Sequence, residues 1–504
     1  MFKMNKFYIT TSIVYVNAPP HIGFTLELIQ TDVLARYNRQ KGREVWFLTG
    51  TDEHGIKVLR AAQKAGLKPG AFVSKIATQV KNLKKVFNLS WNDFIRTSDK
   101  KRHWPGALKL FKILAANKDI YLKKYSGLYC VGCEKFITEK ELVSRPVGRD
   151  SSSIVTAGLC PIHLKKPEFI EEENFFFKLS KYGKKIESLI KSRKLEIIPE
   201  SRRNEILSFL KKGAEDISIS RLKSNNSWGI PIPNSNQTLY VWLDALSNYI
   251  SAVGFGCLAS KDKNKFKKLW PADVHIVGKD IIRFHAVIWP AFLMSAKLPL
   301  FKKLLVHGFI TIEGKKISKS IGKVIDPFEL AKKYNTDPVR YYLLREIPSD
   351  NDGDFSYQKF EERYNTDLAN GLGNFASRTI ALANNMDFPD DLKVLKEIEV
   401  RIEKTRKTVD FRINEFKLHE ALASIWELIK FGDRYVNASR PWETKDKKTI
   451  FNLIVILDNL SALIEPFLPE TSLKIKKAIK WEKGKLKIKK IKPLFPKIES
   501  SSFN

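Results

Sequence analysis

One junction near the start of the chain constrains the fold most. Phe7 to Val16 is a β-branched and aromatic run, Leu26 to Tyr37 carries a helical apolar pattern, and Ala18-Pro19-Pro20-His21-Ile22-Gly23-Phe24 lies between them. The order strand, proline-rich turn, helix predicts an open α/β sheet. At such a junction the helix start points its N–H groups and positive dipole end at the carboxyl edge of the sheet, where a phosphate is well held. Gly23 permits close approach of a ligand, and His21 adds a side-chain donor.

A second apolar strand, Glu44 to Gly50, delivers Thr51-Asp52-Glu53-His54-Gly55 to the same edge. Ligands of open α/β sheets bind outside the strand ends, so Asp52 is expected near His21, placed to hold a substrate ammonium. Helical patterns at 56–65 and 71–87 fit crossover helices.

With 504 residues, several domains are expected, and 43% hydrophobic residues with 32 Phe and 10 Trp suffice for their cores. The longest apolar stretch, Ala286 to Ala296, contains Pro290 and falls short of the roughly 20 residues of a membrane helix. Few residues precede the first strand, so a cytoplasmic protein is expected. The net charge of +33 favours a polyanionic partner, although abundant Lys, Ile, Asn and Phe together also fit nucleotide bias in the gene.

Three of the four cysteines cluster, arguing against a disulfide framework. Cys130-Val131-Gly132-Cys133 and Cys160-Pro161-Ile162-His163 are two close ligand pairs. Thiolates plus an imidazole suit tetrahedral zinc, and with no open coordination position its role would be structural. The intervening Ser144 to Thr156 reads as a mobile loop.

Farther on, Trp242 and Tyr249 are two helical turns apart if that segment is helical, and Ile281 and His285 one turn apart. By spacing alone they read as core. His275 to Asp280 and Val306 to Ile310 are strand-like, and Lys315-Lys316-Ile317-Ser318-Lys319-Ser320 is a cationic loop able to fold over a polyphosphate. Beyond Asp354 the apolar repeats are helical to near Trp481, which predicts a bundle. The basic run Lys474 to Lys492 reads by default as a solvated face or frayed end.

His21-Ile22-Gly23 followed far downstream by the lysine-serine loop resembles the paired signatures of class I aminoacyl-tRNA synthetases. With Pro20, the Leu48 to Gly55 stretch, the Cys/His knuckle, Glu172 to Phe177, Trp228 to Pro231, Tyr240 to Ala245, Gly278-Lys279-Asp280, Gly373 to Arg378 and Arg440-Pro441-Trp442, the chain resembles the bacterial-type methionyl-tRNA synthetases with a single zinc knuckle. The resemblance spans Phe7 to about Trp481.

The resemblance implies a Rossmann-type parallel-sheet catalytic domain (1–116 and 227–300), split by a connective insertion with the zinc knuckle (117–226). A stem-contact region with the lysine-serine loop (301–356) and a helical anticodon-binding domain (357–504) would follow. It implies activation of L-methionine with ATP to methionyl adenylate and transfer to the 3′-terminal adenosine of tRNA(Met). Methionine would lie against Asp52, Ile13 and Tyr15, with its thioether among Trp242, Tyr249, Ile281 and His285. ATP would lie on Gly23, Gly278, Asp280, His307, Ile310 and Ser318, with His21, Lys316 and Lys319 on the phosphates and Mg²⁺ assisting. The anticodon would meet Asn374, Arg378 and Trp442, and zinc would sit on Cys130, Cys133, Cys160 and His163.

Three departures from the family pattern stand out. Phe24 replaces a second histidine and cannot donate a hydrogen bond to ATP, a loss that elsewhere costs roughly 10²–10³ in rate. Ile317 replaces a methionine, a change of similar volume, and the knuckle's connecting loop is long. No further domain is expected after the bundle, which favours a monomer. Two alternatives stay open: a class I synthetase for another amino acid, and a catalytically weak synthetase-like tRNA-binding protein, which Phe24 keeps in play.

Overall fold

Strand β1 runs from Lys6 to Tyr15 and helix α1 from Ile22 to Gln40 in the computed structural model, which describes residues 6–131, 135–137, 139–147, 154–161, 164–257, 260–312, 315–316, 325–389, 391–482 and 485–499. The helix begins four residues before its apolar pattern because His21 caps it. Its backbone is extended and its Nδ1 accepts the Gly23 N–H at 3.1 Å, satisfying one of the donors a helix start leaves unpaired.

Five further strands, Glu44–Asp52 (β2), Asp93–Arg96 (β3), Glu196–Ile198 (β4), Val274–Gly278 (β5) and Lys303–His307 (β6), complete a six-stranded sheet. The spatial order is β3-β2-β1-β5-β6-β4 and every pairing is parallel. β1 and β5 flank the point where the chain reverses its direction of winding, so the crevice opens beyond their carboxyl ends. Every residue of β5 is buried, as expected of a strand covered on both faces. The β1–β2 register shifts between Thr10 and Ile13, and within this bulge the Ser12 N–H turns to the Glu27 carboxylate at 2.7 Å.

The stretch 117–226, expected as an insertion, is not wholly separate from this sheet, because β4 lies within it. The rest includes a four-stranded antiparallel sheet of Ile217–Ser218, Glu168–Phe177, Ile120–Cys130 and Lys135–Ile137. The expectation of a mobile loop over Ser144 to Thr156 needs correction at both ends, while 148–153 lie outside the described residues. Val143–Val147 and Ile154–Leu159 pair as antiparallel strands, with Pro146 opposite Val155 and Val147 opposite Ile154.

The C-terminal part is a bundle containing helices Asn374–Ala383 (α2), Lys396–Asn414 (α3), Leu418–Ser439 (α4), Lys447–Ile464 (α5) and Pro469–Ala478 (α6). The basic run after it is no frayed end: Ile479–Glu482 and Lys485–Ile488 form an antiparallel hairpin. The tail beyond returns to the bundle, where Asn365 Nδ2 donates to the Ile498 carbonyl at 2.9 Å and Oδ1 accepts the Ile498 N–H at 3.1 Å.

Bundle and parallel sheet share one apolar core, pinned by Arg340 on the helix Thr336–Glu346. This fully buried guanidinium donates to the carbonyls of Phe87 at 3.0 Å, Phe467 at 2.8 Å and Pro466 at 2.9 Å, and faces Asp32 of α1 at 2.9 Å. Among the described residues no helix is long and apolar enough to cross a membrane.

Candidate active site

The crevice at the ends of β1, β5 and β6 gathers three groups of side chains. On the β2 side, register sets Tyr15 directly opposite Asp52 and Ile13 opposite Gly50. The loop carrying Asp52 is held on both following residues. Glu53 is buried and takes a two-point contact from Arg96 at 2.7 and 3.0 Å, with the Thr51 hydroxyl at 2.6 Å. Its N–H donates to Thr97 Oγ1 at 2.8 Å, and its carbonyl accepts from Trp228 Nε1 at 2.5 Å.

His54 and His103 share the Asp244 carboxylate, with Nδ1 of His54 2.6 Å from Oδ2 and Nε2 of His103 2.7 Å from Oδ1, while Nδ1 of His103 meets Ser251 Oγ at 2.8 Å. Burial alone would raise the Asp244 carboxyl, but the charge of His54 and the hydrogen bonds from both imidazoles hold it below the ordinary range. Asp244 lies on the helix Val241–Leu246, which also carries Trp242.

The second group is a ring-lined wall. Trp242 stacks on Phe284 with centroids 3.5 Å apart and meets His285 edge-on at 6.4 Å. The Tyr249 hydroxyl lies 2.7 Å from His285 Nε2, and His285 Nδ1 lies 3.0 Å from the Ile281 carbonyl. A carbonyl only accepts, so Nδ1 carries the proton and Nε2 accepts from Tyr249. Burial pushes His285 down to about 4, which keeps it neutral. Burial, then the charges of Glu27 and Asp52 among its causes, pushes the Tyr249 phenol well above its ordinary value.

The third group lies around β5 and β6. A Cβ at Gly278 would fall 2.7 Å from Asp280 Oδ1, so glycine lets that carboxylate lie against the strand end, with the His307 ring at ordinary contact distance, 3.8 Å. His307 Nε2 lies 2.9 Å from Glu27 Oε2, and Nδ1 lies 2.8 Å from the Gly308 carbonyl. Burial opposes the charged form of His307, but the hydrogen bond and charge of Glu27 outweigh it and raise its pKa. The His21 ring carries its proton on Nε2, since its Nδ1 accepts the Gly23 N–H. Phe24 is buried in the core around α1, so the position that departs from the family serves packing.

Ile310 is buried and starts the strand Ile310–Ile312, against which Lys315–Lys316 pairs with Lys316 opposite Thr311. Ser318 and Lys319 lie outside the described residues. Of the four expected zinc ligands, the buried Cys130 and Cys160 share a small cluster with Ile137, while Cys133 and His163 lie outside the described residues. Among the described residues no group of three or more potential metal ligands occurs.

In the bundle, Asn374 and Arg378 stand one turn apart on α2. The Arg378 guanidinium lies 5.4 Å from the Trp442 ring and donates to Asn437 Oδ1 at 3.0 Å. Arg378, Ala381, Leu382 and Trp442 line an open cavity of about 420 Å³. Trp442 is 45% exposed, unusual for so large an apolar ring.

Four side chains of the crevice were absent from the sequence-based site: Glu27, His103, Asp244 and Phe284. Phe284 lies one residue from His285 and Asp244 two from Trp242, separations at which helical side chains do not share a face, so the helical period gave no signal for either. A lone acid inside α1 gives no such signal.

A doubly wound parallel sheet with a helix start at its winding reversal, followed by a bundle that holds an Arg–Trp cavity, agrees with the architecture that the resemblance to class I aminoacyl-tRNA synthetases implies. The family model described as "tRNA synthetases class I (M)" matches residues 7–380, and "Anticodon-binding domain of tRNA ligase" matches 396–499. The methionine–tRNA ligase of Clostridium acetobutylicum is 41% identical over 99% of this chain and 79% of its own length, and that of Thermotoga maritima 38% over 99% and 81%. The Mycobacterium tuberculosis methionyl-tRNA synthetase in complex with methionyl-adenylate superposes with a TM-score of 0.87 at 36% identity, covering 94% of this chain and 93% of that one. The chain belongs to the methionine family of class I tRNA synthetases.

Proposed function

We propose that this chain is a methionine–tRNA ligase. It joins L-methionine to ATP as methionyl adenylate and passes the methionyl group to the 3′-terminal adenosine of tRNA(Met). The observation that carries the reading is the wall of Trp242, Tyr249, Ile281 and His285 at the strand ends that also present Asp52. A polarizable thioether packs well against aromatic rings, and the Asp52 carboxylate suits the ammonium at the other end of the amino acid.

In the first step the methionine carboxylate attacks the α-phosphorus. A C–O–P bond forms, the bond to the β-phosphate oxygen breaks, and diphosphate leaves. The nucleophile is already ionised, so no general base is required, and positioning plus neutralisation of charge on phosphate oxygens does the work. His21 Nε2–H, the backbone at Gly23, and Ser318, Lys316 and Lys319 are assigned to the phosphates, Gly278 and Asp280 to the ribose, and His307 and Ile310 to the adenine. Because both His307 nitrogens are committed, its ring acts as a wall. In the second step a terminal ribose hydroxyl attacks the acyl carbon and AMP leaves.

Mg²⁺ bound with ATP would supply further charge neutralisation. Cys130 and Cys160, two buried thiols in one small cluster with Ile137, fit half of a structural zinc set that Cys133 and His163 would complete. Asn374, Arg378 and Trp442 are assigned to the anticodon, the first two for hydrogen-bonding edges and the indole for stacking.

Charging of a tRNA(Met) transcript tests the reading. Methionine should be esterified to the 3′ end, and leucine, isoleucine, valine and cysteine should not.

A further inference from the structure

Between Lys474 and Lys492 the chain holds ten lysines and one glutamate, a net +9 of the whole chain's +33. The fold gathers this charge. In the hairpin after α6, register pairs Ile479 with Ile488, Lys480 with Lys487 and Trp481 with Leu486. Side chains alternate between faces. Ile479 is buried in the bundle core, with Leu486 and Ile488 packed against it, and Trp481 meets Phe451 of α5 edge-on at 6.2 Å, its Nε1 3.3 Å from Asp458. The opposite face therefore presents Lys480 and Lys487 side by side.

Like charges directly across a ladder destabilise it, so the apolar face holds together a cationic face that local electrostatics disfavours. Relief is partial. Glu482 pairs with Lys487 at 2.7 Å, and its carboxyl is lowered first by that hydrogen bond, then by the charges of Lys487, Lys480 and Lys489. Among the described residues no carboxylate lies within ion-pair distance of Lys480, Lys489 or Lys490, all of them exposed.

Position suggests the partner. Trp481 rests on Phe451, which meets Phe388 at 6.2 Å, and Phe388 lies six residues after Leu382 of the Arg378–Trp442 cavity. α5 itself starts five residues after Trp442.

We propose that the lysine face of this hairpin docks the phosphate backbone of the tRNA whose anticodon enters the Arg378–Trp442 cavity, an inference that rests on the tRNA-ligase reading. Lysine heads on a firm strand pair suit a row of phosphates, which need charge and no base-specific geometry.

The test is a triple variant of the full chain, Lys480→Gln with Lys487→Gln and Lys489→Gln, beside the matching triple Lys→Arg variant. tRNA binding is measured from 50 to 300 mM salt, and methionine-dependent ATP–diphosphate exchange without tRNA. The Gln variant should bind tRNA about tenfold more weakly near physiological salt, with a log–log salt slope shallower by about two units, and keep full exchange activity. The Arg variant should bind as the parent does. Unchanged tRNA affinity and slope in the Gln variant would overturn the proposal, and the accompanying loss of binding to phosphatidylserine vesicles would assign the face to a membrane surface instead. If no amino acid drives exchange in the parent while tRNA binding still falls in the Gln variant, the ligase reading fails and the hairpin assignment stands.

Discussion

The Nδ1 of His54 lies 2.6 Å from Oδ2 of Asp244, and neither side chain is more than 3% exposed. This contact joins the residues that follow Asp52 at the end of β2 to the helix that carries Trp242, so the two ends of the proposed methionine site are set against each other by one buried carboxylate.

Asp244→Asn keeps the size of the side chain but removes the charge shared by two imidazoles. Breaking one partner of a buried pair costs about 3–5 kcal/mol, and urea unfolding should show a loss of that order. The methionine KM in diphosphate exchange should rise about tenfold, equivalent to about 1.4 kcal/mol, while the ATP KM stays within about twofold. Equal rises in both would show general damage to the fold.

Stability should fall on mild acidification. In the unfolded chain His285 binds a proton near pH 6.5, whereas the folded chain resists until about pH 4, so in that window the unfolded state holds more protons. The contribution is complete above pH 6.5 and declines toward pH 4, by on the order of 3 kcal/mol. Burial pushes His275 the same way. His307 has the opposite sign: its raised pKa gives a contribution present below about pH 6.5 and lost as pH climbs through its folded value. Melting temperature against pH in the parent and in His307→Gln separates the two, since the variant should lose only the decline on the alkaline side.

Arg340→Met removes the guanidinium that ties α1 to the bundle through Asp32 and three carbonyls. Asp32 keeps Arg36 at 2.8 Å but loses its fully buried partner, and a loss of about 3–5 kcal/mol is expected in denaturant unfolding. A variant as stable as the parent would mean that packing alone joins the two parts.

Trp442→Ala should weaken tRNA charging by removing a stacking platform valued at about 1–3 kcal/mol per base, seen as a higher tRNA KM. Diphosphate exchange without tRNA should be unchanged. Equal loss of both activities would contradict an anticodon role.

What the sequence disclosed depends on how local the cause was. β1 and α1 were legible because their β-branched run and helical period are local, whereas Tyr15 beside Asp52 came only from the family resemblance, although both end neighbouring parallel strands. The ring wall needed the family resemblance, since Trp242, Tyr249, Ile281 and His285 by spacing alone look like core. Glu27 was hidden because its partners, Ser12 and His307, are 15 and 280 residues away. The terminal hairpin was read only as a solvated face or a frayed end, because lysine disfavours strands and its pairing depends on burying Ile479 against a bundle the local sequence does not show. β4, three residues inside an insertion, exists only because β6 offers it an edge.

Amino-acid-dependent ATP–diphosphate exchange by the purified chain, without tRNA, tests the central claim most directly, because it reads the pocket and the adenylation step together and nothing else. Methionine should drive exchange, and leucine, isoleucine, valine and cysteine should not, which would also show that Phe24 in place of a histidine leaves the chemistry intact. No exchange with any of the five by a folded chain that still binds tRNA, or exchange driven best by another amino acid, would contradict the account.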